Sequence, residues 1–134
     1  MAIRSAHDLT DFLIGYTRDM AVSDEEPGAI LDRYFVFEFE YCNDGLVIDR
    51  RRMVDHAGPI RKNVDREAMA AADRAGLEVH EAMVSGDRFA ARYTLRTRMR
   101  KGVTFAAEIY MFGRLAADGR IERIDQVTRE LEEK

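Results

Sequence analysis

Residues 79–131 read as three long antiparallel strands joined by two tight turns, Ser85-Gly86-Asp87 and Ala117-Asp118-Gly119. A helical first third followed by such a sheet leaves only small α+β architectures open. Over residues 89–99, Phe89, Ala91, Tyr93, Leu95 and Met99 share one face, and Arg92, Thr94, Arg96 and Arg98 share the other. A period of two predicts that the first set meets the core and the second meets water or a partner. Residues 103–112 are apolar on both faces, the pattern of a central strand covered on each side. In the last strand Ile124, Gln126 and Thr128 fall together, opposite Arg123, Asp125 and Arg129.

The first third carries helical signals. Ser5 followed by Asp8 is a capping pair, and Leu9, Phe12, Leu13, Tyr16 and Met20 recur at helical spacing. Ser23 or Asp24 is placed to start a short second helix through Ala29, Ile30 and Leu31. From Tyr34 the period changes to two, with Phe35, Phe37, Phe39 and Tyr41 alternating with Val36, Glu38 and Glu40. Asn43-Asp44-Gly45 is a turn. Asp49 can cap a helix carrying Met53, Val54 and Ala57, which Gly58-Pro59 is expected to kink or end. Residues 65–75 read as a helix closed by Gly76. Without repeat, low-complexity tract or linker, residues 1–134 are expected to form one domain.

Composition narrows the role. Lys and Arg number 21 against 25 Asp and Glu, a net charge of −4. That balance argues against nucleic-acid binding, which needs a surplus of cations. The single cysteine, Cys42, permits no internal disulfide and fits a reducing, cytoplasmic setting. It has no basic neighbour in sequence to activate it, so it reads as structural. No apolar run approaches the roughly 20 residues of a membrane span. His7, His56 and His80 lack ligand spacing, so no metal site is expected.

Three segments carry a family resemblance. Residues 84–96, Val-Ser-Gly-Asp-Arg-Phe-Ala-Ala-Arg-Tyr-Thr-Leu-Arg, resemble a characteristic strand of the nuclear-transport-factor-2-like superfamily, in its SnoaL-like and ketosteroid-isomerase-like branches. Asp118-Gly119-Arg120-Ile121 is similar to its hairpin, and Phe39-Glu-Tyr-Cys-Asn-Asp-Gly45 to the segment ending in its first turn. The resemblance covers nearly the whole chain. It implies a cone-shaped, curved antiparallel sheet wrapped around N-terminal helices, the cystatin-like α+β roll, with a pocket at the wide end. It also implies acid–base chemistry without a cofactor, a small apolar or polycyclic ligand, and a homodimer. Carried over by position, it places Asn43, with Asp44 beside it, where isomerase-like members have a general base. Tyr16 stands near an oxyanion-binding tyrosine, and Gln126 near a strand aspartate of the hydrolase-like members. Asn43 and Gln126 are amides that hydrogen-bond but cannot take a proton at neutral pH.

Other candidates come from the residues themselves. Glu108 is the lone charge in the apolar run 103–112, and a carboxylate enclosed there is suited to acid or base work. The alternative is that it pairs with an arginine such as Arg92 across the sheet. His80 and Glu81, adjacent on a strand, are expected on opposite faces, and a pocket-facing His80 is a candidate base. His56 reads as a solvated residue of a polar helix. Tyr93 and Tyr110 are packing residues with a polar tip, and Tyr93 is a candidate ligand contact. Arg96, Arg98, Arg100 and Lys101 form a basic stripe suited to an anionic ligand tail, an acidic partner or a solvated strip.

Three functions follow. An enzyme of the isomerase, cyclase, dehydratase or hydrolase type would use Glu108, His80 and Tyr16, with Asn43, Asp44, Tyr93 and Gln126 on the ligand. A non-catalytic binding module would keep the pocket and lose the acids. A dimerisation module would fill the cavity with Phe35, Phe37 and Phe39.

Overall fold

The computed structural model describes residues 2–132. Helix α1 (Ala6–Ala21) starts as the sequence requires, Ser5 Oγ accepting from the Asp8 amide while Asp8 accepts from Arg4 N. Its apolar stripe buries Leu9, Phe12, Leu13 and Met20. Helix α2 (Pro27–Tyr34) begins later than expected, because Ser23 turns back to donate to Asp19 O and Pro27 takes the first turn. Strand β1 (Phe35–Asn43) turns through Asp44 and Gly45, both at positive φ, into the two-residue β2 (Leu46–Val47).

Helix α3 (Arg50–Asn63) is capped by Asp49, whose Oδ1 accepts from Arg52 N at 2.9 Å. Pro59 was expected to kink or end it, yet the helix runs four residues further. The carbonyl that loses its partner belongs to Asp55, and Asp55 and Pro59 both face water, which hydrates the gap. Helix α4 is shorter than expected, Arg66–Ala71. A 3₁₀ turn, Asp73–Gly76, follows, with Arg74, Ala75 and Gly76 all at positive φ. A Cβ on Gly76 would stand 2.2 Å from Arg96 O, so the chain passes the sheet backbone where only glycine fits.

The second half holds four strands rather than three: β3 (Leu77–Ser85), β4 (Arg88–Arg98), β5 (Thr104–Leu115) and β6 (Ile121–Leu131). A third turn, residues 99–102, separates β4 from β5. The six strands run in the order β2-β1-β6-β5-β4-β3, antiparallel except where β1 meets β6 in parallel. Bulges on β1, β3 and β6 curl the sheet, and the helices lie in its hollow.

Register fixes which side chains enter that hollow. Inward rows run Ala91–Met111–Gln126, Tyr93–Ile109–Thr128 and Leu95–Ala107–Glu130 across β4, β5 and β6. Phe35 and Phe39 of β1 join this core with Phe12, but Phe37 does not. The β1 bulge breaks the strict alternation, leaving Phe37 68% exposed under the Arg50 guanidinium. Strand β5 is covered on its inner side alone, Tyr110 and Phe112 standing exposed on the outer one. Among the described residues no helix is long and apolar enough to cross a membrane.

Candidate functional site

Between α1, α3 and the inner face of the sheet lies a cavity of about 870 Å³. Tyr16, Thr17, Met20 and Ala21 of α1 form one wall. Met53, His56 and Ile60, at helical spacing on α3, form the second. Leu95, Thr97 and Met99 of β4 with Val103 and Phe105 of the next turn and strand form the third. Depth follows from the inward rows. Gln126 lies in the innermost of these, and Thr97, Phe105 and Met99 lie beyond the row of Leu95 and Glu130. The lip is formed by Pro59, Ile60, Val103 and Phe105, which are exposed.

The inner end is polar. Tyr41 Oη donates to Gln126 Oε1 at 2.8 Å, Gln126 Nε2 faces Asn43 Oδ1 at 3.4 Å, and Thr128 Oγ1 donates to the same oxygen at 2.9 Å. These three links join β1 to β6 and hold Tyr41 and Gln126 in place. Tyr16 is fixed differently, its ring lying against Phe12, Tyr34 and Phe35 at centroid distances of 5.6–5.8 Å. Among the described residues no protein acceptor takes the Tyr16 hydroxyl proton. Burial, then the neighbouring phenols of Tyr41 and Tyr93, pushes the Tyr16 hydroxyl well above its ordinary value. It remains a neutral donor that faces the cavity.

The residues singled out in the sequence separate into three groups. Tyr16 and Gln126 line the cavity. Asn43 stands behind Gln126, and Tyr93 is buried behind the wall, where burial raises its hydroxyl and that of Tyr41. Asp44 sits outside on the turn, its Oδ1 accepting from Thr128 N. Glu108 and His80 are not in the cavity at all. Glu108 pairs in register with Thr94 and Arg129, on the outer face, and meets the Arg129 guanidinium at 3.2 Å. The expected arginine partner was Arg92, but Arg92 lies opposite Tyr110 and binds Glu81. His80 and Glu81 were expected on opposite faces. The β3 bulge between Val79 and Glu81 puts both outside, His80 Nε2 meeting the buried Thr94 Oγ1 at 2.8 Å.

Two lining groups escaped the sequence reading. Tyr41 was seen only as one of an alternating aromatic set, though its place at the end of β1 beside the turn marks it as different. His56 was read as solvated. It is exposed, yet it shares the Met53–Ile60 stripe and so borders the cavity. Glu130, also exposed, is the one carboxylate on the wall among the described residues. No cluster of metal-binding side chains forms among the described residues.

A curled six-stranded sheet with helices in its hollow around a cavity is the nuclear-transport-factor-2-like fold, and solved proteins of that fold superpose on this chain. AclR of Streptomyces galilaeus, a candidate hydroxylase, superposes with a TM-score of 0.65 at 15% identity, over 93% of this chain and 91% of that one. A protein of Catenulispora acidiphila with a ketosteroid-isomerase-like fold, solved in complex with trimethylamine, gives 0.57 at 10% identity, over 89% and 84%. The de novo designed protein NT-9 gives 0.58 at 14% identity, over 95% and 88%. No family model matches the chain, and no curated protein is similar to it in sequence. A designed protein among the neighbours makes the point that this fold forms without carrying any one chemistry.

Proposed function

We propose that this chain binds a small, mostly apolar molecule bearing one hydrogen-bond acceptor, held at the inner end of the cavity by Tyr16. The observation that carries this reading is the unsatisfied Tyr16 donor facing a large cavity whose wall is more apolar than polar, built of Met, Ile, Val, Leu, Ala, Pro and Phe side chains. Polar groups placed sparsely in an apolar wall orient a ligand rather than attract it, and the apolar body supplies the affinity. A planar polycyclic ketone meets both demands. Proton-transfer catalysis has less support, because Glu108 and His80 lie outside and His56 and Glu130 border the open end. The same reading includes a homodimer formed through the exposed apolar outer face of the sheet.

Calorimetric titration with 2-acetylnaphthalene and 2-ethylnaphthalene tests the cavity assignment. Both are expected to bind, the ketone more tightly. Tyr16→Phe should weaken the ketone by about tenfold, the worth of one hydrogen bond of about 1.4 kcal/mol. The hydrocarbon should be unaffected. Absence of binding by either compound would remove the proposal, and a ketone indifferent to Tyr16→Phe would remove the role given to that hydroxyl.

A further inference from the structure

The cavity mouth carries a charge pattern that the apolar reading leaves unused. The turn of residues 99–102 has both ends on the wall, Met99 on one side and Val103 just beyond the other, so Arg100 and Lys101 stand between two lining residues. The end of α3 meets this turn. Arg100 N donates to Asn63 O, Val64 bridges to Met99, and Asn63 and Val64 both line the cavity with Lys62 next in the chain. The Arg100 guanidinium is aimed by its Nε, which donates to Val64 O at 3.2 Å and leaves its two terminal nitrogens for another acceptor.

These cations are unlike most of the others in the molecule. Arg33, Arg50, Arg92, Arg114, Arg123 and Arg129 each meet a carboxylate. Among the described residues Lys62, Arg100 and Lys101 meet none, in a chain whose net charge is −4. The wall carboxylate, Glu130, stands in the row of Leu95 and Ala107 on the far side of β5. Met99 lies four steps along the chain from Leu95 of that row, about 13 Å if extended. Positive charge is thus concentrated at one sector of an apolar lip, with its acidic counterpart kept away from it.

The geometry points to a ligand with an apolar body and an anionic terminus, a carboxylate, sulfate or phosphate that lies at the mouth against Lys62, Arg100 and Lys101. This inference rests on the cavity being the binding site and adds the chemistry of the ligand's outer end. The anion would find a two-nitrogen guanidinium edge and two mobile ammonium groups, while its body reaches inward past Met99 and Leu95. Because these groups are exposed, their attraction is screened by salt, and the preference is an ionic-strength-dependent one.

Two fluorescent probes with one body separate the two claims. N-phenyl-1-naphthylamine is neutral, and 1-anilinonaphthalene-8-sulfonate is the same molecule with a sulfonate. At low salt the sulfonate is expected to bind about tenfold more tightly and to displace the neutral probe one for one. The advantage should shrink as salt is added. Lys62→Gln with Arg100→Gln and Lys101→Gln should abolish it without altering affinity for the neutral probe. Arg100 also holds Val64, so the double variant Lys62→Gln/Lys101→Gln, which touches no bonded group, should remove at least half of the advantage if the triple variant misfolds. Equal affinity for the two probes, or a preference that survives in the double variant at full size, overturns the inference and leaves the cavity reading standing. Failure of both probes to bind overturns both.

Discussion

Tyr16, Tyr41 and Tyr93 place three phenols in one region of the core, and burial pushes all three hydroxyls upward, Tyr41 and Tyr93 far above the tyrosine range. Below about pH 10 these phenols are protonated whether the chain is folded or not, and they make no pH-dependent contribution. Above that value the unfolded chain releases their protons while the folded one retains them. The unfolded state then binds fewer protons, and stability falls as pH rises, by about 1.4 kcal/mol per pH unit for each phenol. The urea midpoint should therefore drop steeply as pH rises from about 10 to about 12, and Tyr93→Phe should reduce the slope. A flat midpoint across that interval would contradict the buried placement. Residue-scale errors in the sequence reading have a common cause. Glu108 and His80 were assigned from composition and parity, but their facing depends on cross-strand register and on a single bulge, neither of which is written locally.

Among the elements, α1 and α3 share the apolar core and are also tied by one side chain. Arg61 of α3 donates from Nε to Met20 O and from Nη2 to Asp19 O and Glu25 O, capping the carbonyl end of α1 and the loop after it. Arg66 repeats the device on Val22 O and the Asp24 carboxylate. These cations fix the distance between the two helical walls of the cavity. Arg61→Ala is expected to lower stability by about 2 kcal/mol, the usual scale for losing a charged hydrogen-bond donor. It should also weaken binding of the neutral naphthylamine probe, because the walls lose their spacer. A denaturation midpoint unchanged from the parent protein would show that the clamp is not structural. Element identity was largely legible: the Ser5–Asp8 and Asp49 caps, the Asp44-Gly45 turn and the β4 alternation all appear as expected. The Arg61 clamp was not, since it joins residues 36–42 positions apart and has no local signature.

For the molecule as a whole, most of the order of helices and strands was readable because period and turn chemistry agree along the chain, whereas a pocket was implied only by the family resemblance. What the chain exposes on its outer face was misread as covered. Met83, Tyr110, Phe112 and Val127 stand 42–67% exposed on adjacent strands, contiguous through the pairs Ala90–Phe112 and Tyr110–Val127. A contiguous apolar face of this kind is suited to association with another surface. Light scattering is expected to give a dimer that Phe112→Glu converts to monomer with the cavity intact; a monomeric parent would remove that reading. The parallel pairing of β1 with β6 carries a different consequence. It brings Tyr41 and Asn43 against Gln126, 85 and 83 positions later, to build the polar inner end. Contacts so distant in sequence form late, after the intervening strands have been ordered. On the ribosome the helices and the β3–β5 meander can assemble while this end of the cavity does not yet exist. The polar inner end of the cavity therefore exists only once β6 has been made and paired with β1, and a nascent molecule lacks that end until then.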